Sequence, residues 1–375
     1  LVAASRLGMI VTSLSPLLSM NEAVAQCKDA NVKLLFTLDS HYVQGKRAAF
    51  STVPSLKLVV LSNIDDFSLQ TTPLNESAYL SAPHRVVVMI PALEMLQGGA
   101  VEIAEQRRNA TDYLQYTGGT TGKPKAAELT VGHIFTNNMQ ANVFYGLKVG
   151  KEVIASAFPL FHIGGVAVLF NALRTASTFL VISDPRDIKH YCATMRDNQP
   201  TVLANVPALF QMLMEDKRFC ELDFSRLRIA ISGAAPFPEQ GIRCLEAIIG
   251  KGKYCEVYGM TETSPVQTIN PAQRFRPGFV GIPLPGTDLR IVKPGSNESV
   301  ETGEAGEVIV SGPQVMDRYL NSPQETENAL REIDEKIWMF TGDIGLLDEE
   351  GYLKICDRSK DMLIVGGYKV FSVEL

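Results

Sequence analysis

From residue 32 to residue 258 the chain alternates short apolar runs with polar, helix-compatible stretches, and this alternation limits the possible fold more than any other feature. The runs 32–37, 56–61, 86–90, 152–157, 178–182, 202–205, 227–231 and 254–258 read as strands. Between them, 21–30, 130–145, 165–173, 185–197, 207–214 and 238–249 read as helices. Repeated strand–helix units build parallel sheets covered by helices. After Pro271 the character changes: Pro277, Pro283, Pro285, Pro294 and Pro313 separate short β-rich runs such as 289–292 and 307–310, which predicts a smaller, β-barrel-like subdomain. The expected fold class is therefore α/β. Two βα-layered subdomains with parallel-rich sheets (1–155 and 156–270) precede a β subdomain (271–356). Residues 357–375 follow as a separate terminal stretch.

A chain of 375 residues with 46% hydrophobic content can bury a large core. Its net charge of −6 and the lack of a long basic run argue against nucleic acid or an anionic membrane as the main partner. Six cysteines, Cys27, Cys192, Cys220, Cys244, Cys255 and Cys356, are scattered without a C-x-x-C pair, which fits reduced thiols in the cytoplasm better than disulfides or zinc. Residues 153–173 carry no charge, but Pro159, His162, Gly164 and Gly165 interrupt them, so a buried strand, loop and helix is expected and no integral membrane segment. The chain begins at Leu1 without methionine, shows no signal-peptide layout there, and stops in mid-pattern at Leu375; it is expected to be a fragment lacking both ends.

The stretch Tyr116-Thr-Gly-Gly-Thr-Thr-Gly-Lys-Pro-Lys125 makes little sense as core. Its glycines allow positive φ and close approach of a ligand, so successive N–H groups can face one concavity that binds anions. Threonine hydroxyls and two lysines add donors and positive charge. A strand end before it and a helix after it give the strand, loop, helix order of a nucleotide site. A Walker loop is excluded, because G-x-x-x-x-G-K-[ST] would need glycine at Thr117 and a hydroxyl at Pro124. By itself the run also suits a flexible surface loop.

This stretch resembles the signature loop of the adenylate-forming (AMP-binding) superfamily, which includes acyl-CoA synthetases, luciferases and the adenylation domains of peptide synthetases. Two positions depart from the usual pattern. Gly118 stands where serine is common, a variant similar to long-chain acyl-CoA ligases, and Ala126 stands where glycine is usual. The resemblance implies that Thr117, Gly118, Gly119, Thr120, Thr121, Gly122 and Lys125 contact the β- and γ-phosphates of ATP.

Four further motifs follow in the family's order. Phe158-Pro-Leu-Phe-His-Ile-Gly-Gly165 puts His162 in an apolar loop, where a lone histidine ordinarily reads as structural. The resemblance places it beside the acyl pocket and the thiol path, with Gly164 leaving room for a wide acyl tunnel. Ser232-Gly-Ala-Ala-Pro236 follows a strand at a βα junction, and the family sets Gly233, Ala234, Ala235 and Pro236 against adenine and the acyl chain. In Glu256-Val-Tyr-Gly-Met-Thr-Glu-Thr263, Tyr258 offers a face for adenine, Thr261 a hydroxyl near the α-phosphate and Glu262 a hard oxygen for Mg²⁺. By the same resemblance Glu256, Val257, Gly259 and Met260 border the nucleotide. Thr341-Gly-Asp343, which also suits a turn-capping aspartate, is followed by Asp357-Arg-Ser-Lys-Asp361 and Gly366-Gly-Tyr-Lys369. Here the resemblance gives Asp343, Ile355 and Arg358 to the ribose side, makes residues 357–375 the hinge and the start of a mobile C-terminal domain whose rest is missing, with Lys360 its pivot, and gives Gly367 and Lys369 to the thiol-transfer site.

The resemblance thus implies a carboxylic acid–CoA ligase similar to the medium- and long-chain acyl-CoA synthetases. ATP, Mg²⁺ and coenzyme A are the expected cofactors, with Thr121, Lys125, His162 and Glu262 as catalytic residues. The acid would be adenylated with release of pyrophosphate and then transferred to a thiol after rotation about Lys360. The family's adenylating lysine would lie beyond Leu375, so these residues alone are expected to bind ATP and acyl-AMP but adenylate slowly. Loading of a carrier-protein thiol, an aromatic-acid substrate, and a non-catalytic acyl- or AMP-sensing module are the alternatives left open.

Overall fold

The computed structural model describes residues 2–43, 46–63, 85–89, 110–117, 124–358, 363–365 and 368–370. The chain divides into two compact units, residues 1–106 with 118–124, and residues 107–117 with 125–375.

The first unit is built on a parallel sheet of strands Leu34–Leu38, Leu58–Ser62 and Arg85–Val88. Helix Met20–Asp29 is set by a reciprocal cap, in which Ser19 Oγ accepts from Glu22 N and the Glu22 carboxylate accepts from Ser19 N. Ala23, Val24 and Cys27 on its inner face pack with Leu35, Val59 and Leu61 of the sheet.

In the second unit the sequence folds around a seven-stranded sheet. Five parallel strands, Thr178–Val181, Val153–Ser156, Val202–Asn205, Ile229–Gly233 and Tyr254–Gly259, are extended by antiparallel Val266–Asn270 and Ile282–Pro283. Val153–Ser156 straddles the expected boundary at 155 and shares this sheet with the strands that follow it. One face is sealed by helices Ile188–Asn198, Pro207–Met214 and Glu239–Ile249 over Tyr191, Phe210, Leu213, Leu245 and Tyr254. The other face lies under helices Val131–Tyr145 and Ile163–Arg174, over Ala141, Ala172, Ala204 and Ile231. Burying each large aliphatic side chain contributes roughly 1.5–3 kcal/mol, so the two clusters hold the sheet on both sides. Helix Ile188–Asn198 starts three residues later than its sequence suggests, because Asp187 caps it by accepting from His190 N at 2.9 Å.

The order around the signature loop differs from the expected strand, loop, helix. A strand, Lys125–Leu129, lies between loop and helix and pairs antiparallel with Tyr113–Thr117, Thr117 opposite Lys125. Lys-Ala-Ala-Glu-Leu has helix-forming composition, but the cross-strand ladder outweighs that preference. Helix Val131–Tyr145 then begins at Thr130, whose hydroxyl accepts from His133 N at 3.0 Å, and ends at Gly146 with φ 59°.

The predicted β subdomain is an antiparallel sheet of Asp288–Val292, Gly306–Ser311, Lys336–Leu347, Leu330–Ile333 and Leu353–Arg358. Its core is Val292, Ile309, Trp338 and Phe340. Asp343 lies inside the long strand Lys336–Leu347, opposite Arg358, rather than at a turn.

Candidate active site

An apolar cavity, partly open to solvent, lies between the sheet and the helices Val131–Tyr145 and Ile163–Arg174. Gly233, Ala234, Gly259 and Met260 surround it at the carboxyl ends of the strands, the side where parallel sheets bind ligands. It runs down to Ile154, Val202, Tyr145 and Leu147. Val202 pairs with Ile229, four residues before Gly233, which at about 3.3 Å per residue sets a depth of about 13 Å. Two asparagines on its wall are engaged with protein: Asn138 Nδ2 donates to the Ala167 carbonyl at 3.2 Å, and Asn171 Oδ1 accepts from Arg174 Nη2 at 2.9 Å. Apart from His162 and Thr261 near its upper end, the remaining wall is glycine, aliphatic or aromatic, suited to a hydrocarbon.

The motif residues converge at the upper end. A Cβ at Gly233 would lie 2.6 Å from Val257 Cγ2, and one at Gly259 only 1.8 Å from the Pro265 carbonyl oxygen, so the chain can approach itself here only through glycine. Ala234 takes φ +70°, a left-handed conformation that turns the backbone from strand to loop, and Ala235 and Pro236 follow it exposed. Val257, Tyr258, Met260 and Thr261 line the cavity. Tyr258 Oη donates to Asp343 Oδ2 at 2.5 Å, tying together residues of two separate motifs. His162 also borders the cavity; surrounding protein holds its pKa below the ordinary histidine value, which favours neutral imidazole.

Glu256 stands elsewhere. It is buried and lies on the face of Tyr254 and Phe237, away from the cavity lined by Val257. Burial pushes its pKa up to about 7, against a bond from the Phe237 backbone that favours the charged form.

A second cluster forms around the base of the signature loop. Lys125 Nζ is 2.5 Å from Glu325 Oε2 and 4.9 Å from the centroid of the Tyr319 ring. Tyr319 Oη donates to Glu262 Oε1 at 2.6 Å. Glu262 is buried in the turn Thr261–Thr263. Among the described residues no group of three or more His, Cys, Asp or Glu could hold a metal by itself. One buried carboxylate does fit Mg²⁺, which keeps waters and takes one or two protein carboxylates together with substrate phosphates.

Gly118, Gly119, Thr120, Thr121, Gly122, Lys360 and Gly367 lie outside the described residues. Thr117 is half-buried at the loop's base, and Ile355 sits opposite Gly345. Arg358 and Lys369 are placed by backbone only, in strands Leu353–Arg358 and Tyr368–Val370. Tyr319 and Glu325 were not singled out by the sequence. Ser322-Pro323 signals a helix start, but nothing local shows that Tyr319 pairs with Ala127.

Residues 1–320 match the family described as AMP-binding enzyme. A long-chain-fatty-acid–CoA ligase of Yersinia pestis is 32% identical over 388 residues, covering 99% of this chain and 67% of the relative. One of Bacillus subtilis is 30% identical, covering 98% and 66%. The chain therefore spans about two thirds of the length of these relatives. The crystal structure of ATP-bound MatB from Rhodopseudomonas palustris superposes with a TM-score of 0.80 at 27% identity, covering 99% of this chain and 68% of that one. The anthranilate–CoA ligase AuaEII in complex with anthranoyl-AMP shares the fold, with a TM-score of 0.84 at 23% identity over 98% of this chain and 67% of its own. With residues 1–320 matching the family and fatty-acid–CoA ligases 30–32% identical over nearly the whole chain, the chain belongs to the AMP-binding enzyme family, among its AMP-forming acyl-CoA synthetases.

Proposed function

We propose that this protein activates a long-chain fatty acid with ATP and transfers it to coenzyme A. The observation that carries this reading is the deep apolar cavity opening among Gly233, Tyr258 and Thr261, which suits a hydrocarbon tail held with its carboxylate at the nucleotide motifs. The names of the fatty-acid ligase relatives agree with it.

In this reading Tyr258 stacks on adenine and Asp343 accepts from the ribose hydroxyls. Thr120, Thr121 and Lys125 hold the β- and γ-phosphates while the fatty-acid carboxylate attacks the α-phosphate and pyrophosphate leaves. Most of the acceleration then comes from positioning and charge neutralisation. Glu262 would hold Mg²⁺, which supplies positive charge to the departing phosphates. Neutral His162 adds no charge to the apolar wall along which the thiol approaches. Rotation about Lys360 exchanges one half-reaction for the other. Among the described residues no helix is long and apolar enough to cross a membrane.

The test is thioester formation by the full-length protein with acids from butanoate to octadecanoate, plus benzoate and 4-coumarate. A kcat/KM that rises along the straight-chain series, with CoA as acceptor, is expected. Preference for an aromatic acid, or acylation of a carrier protein in place of CoA, would overturn the reading.

A further inference from the structure

Tyr319 is brought to the nucleotide end by an unusually short element. The two-residue strand Arg318–Tyr319 pairs antiparallel with Lys125–Leu129, Arg318 opposite Glu128 and Tyr319 opposite Ala127. Arg318 donates to Glu128 twice, Nε to Oε1 at 3.1 Å and Nη2 to Oε2 at 3.0 Å. A forked guanidinium–carboxylate pair fixes direction as well as distance. Leu320 N donates to the Ala126 carbonyl at 2.9 Å, and Tyr319 N to Thr326 Oγ1 at 3.0 Å. The backbone of Tyr319 is therefore held from both sides. Its side chain is only 5% exposed and meets two groups of opposite charge: the hydroxyl donates to Glu262, and the ring carries the Lys125 ammonium on its face.

We propose that Tyr319 is a positioning residue that fixes the Glu262 carboxylate and the Lys125 ammonium relative to one another, so that a divalent cation and a polyphosphate arriving together meet both groups already oriented. This rests on the nucleotide reading above. A glutamate loses up to about 2 kcal/mol of rotamer freedom when ordered, and Mg²⁺ demands near-ideal geometry from its ligands. A 2.6 Å hydrogen bond to Glu262 Oε1 imposes that order before the cation binds. On the other side, Lys125 is ion-paired with Glu325 of helix Pro323–Ala329 and supported by the ring, which keeps its charge at the base of the phosphate loop. One aromatic side chain thus couples cation binding to phosphate binding.

Tyr319→Phe separates the two contacts, since it keeps the ring and removes the hydroxyl. The measurement uses the full-length protein and a non-hydrolysable ATP analogue, with and without Mn²⁺, bound Mn²⁺ being read by electron paramagnetic resonance and the nucleotide by calorimetry. Loss of a hydrogen bond to a charged group should weaken binding of the Mn²⁺–analogue complex about tenfold or more and leave metal-free binding within about twofold. The ratio of the two dissociation constants, taken on one preparation, does not depend on the fraction folded. In a Glu262→Gln background the same substitution should add less than about twofold, whereas Tyr319→Leu should weaken both forms. A Phe variant that binds both forms as wild type does, or loses both equally, overturns the proposal. A wild-type protein that fails to bind the Mn²⁺–analogue complex at all overturns the nucleotide reading and this inference with it.

Discussion

Replacing Ala141 with phenylalanine should shorten the acyl chains that the protein accepts. Ala141 is buried in the middle of helix Val131–Tyr145 and faces the cavity together with Asn138 and Tyr145, three residues before and four after it on the same helix face. The new ring projects into the cavity and takes the place of about four methylenes of a long tail; at about 0.8 kcal/mol per buried methylene, that removes roughly 3 kcal/mol of binding, or about 10²-fold in kcat/KM. Short acids that do not reach Ala141 should keep their rates. The assay is kcat/KM for thioester formation over the straight-chain series, wild type and variant side by side. Overpacking costs typically 1–3 kcal/mol of stability, so thermal midpoints are measured in parallel. A variant whose rates fall by one common factor for short and long acids would refute the assignment of this cavity to the acyl chain.

Tyr258→Phe should weaken AMP binding about tenfold, because Asp343 loses a donor worth roughly 1.5–3 kcal/mol when the acceptor is charged; titration calorimetry checks this, and unchanged affinity would count against Asp343 as the ribose ligand. Glu256 gives a pH signature. Its folded-state pKa of about 7 lies above the ordinary 4.5, so the native state binds the proton more tightly and the protein is favoured below pH 4.5 relative to a Glu256→Gln variant. That relative stability should be lost as pH rises to about 7, by up to about 3 kcal/mol, and stay level beyond. Denaturant unfolding of both proteins from pH 4.5 to pH 8 gives the difference, and a flat difference would show that Glu256 ionises normally.

The alternation from residue 32 to residue 258 was enough to read the parallel core, because buried strands such as Val202–Asn205 and helices such as Pro207–Met214 declare themselves by period and by proline placement. What stayed hidden depends on pairing at long range. Lys125–Leu129 has helix-forming composition and becomes a strand only through Tyr113–Thr117 and Arg318–Tyr319. Val266–Asn270 joins the parallel sheet antiparallel, which no local pattern reveals. In the candidate site, the motifs named Tyr258, Asp343, Lys125 and Glu262, but the bond between the first two and the aromatic bridge between the last two arise from contacts 57 to 194 residues apart. Glu256 shows the converse. Two residues from Tyr258 and in the same motif, it is buried on the side of the strand that carries Tyr254, away from the cavity that Val257 lines.

The most direct measurement is exchange of labelled pyrophosphate into ATP by the full-length protein, with and without hexadecanoate. Exchange reports reversible formation of acyl-AMP at the site built by Lys125, Tyr258, Glu262 and Asp343, independently of any thiol acceptor. The account predicts exchange that depends on the fatty acid and on Mg²⁺ and falls sharply in Glu262→Gln. Exchange unaffected by fatty acid, or undiminished in Glu262→Gln, would contradict it.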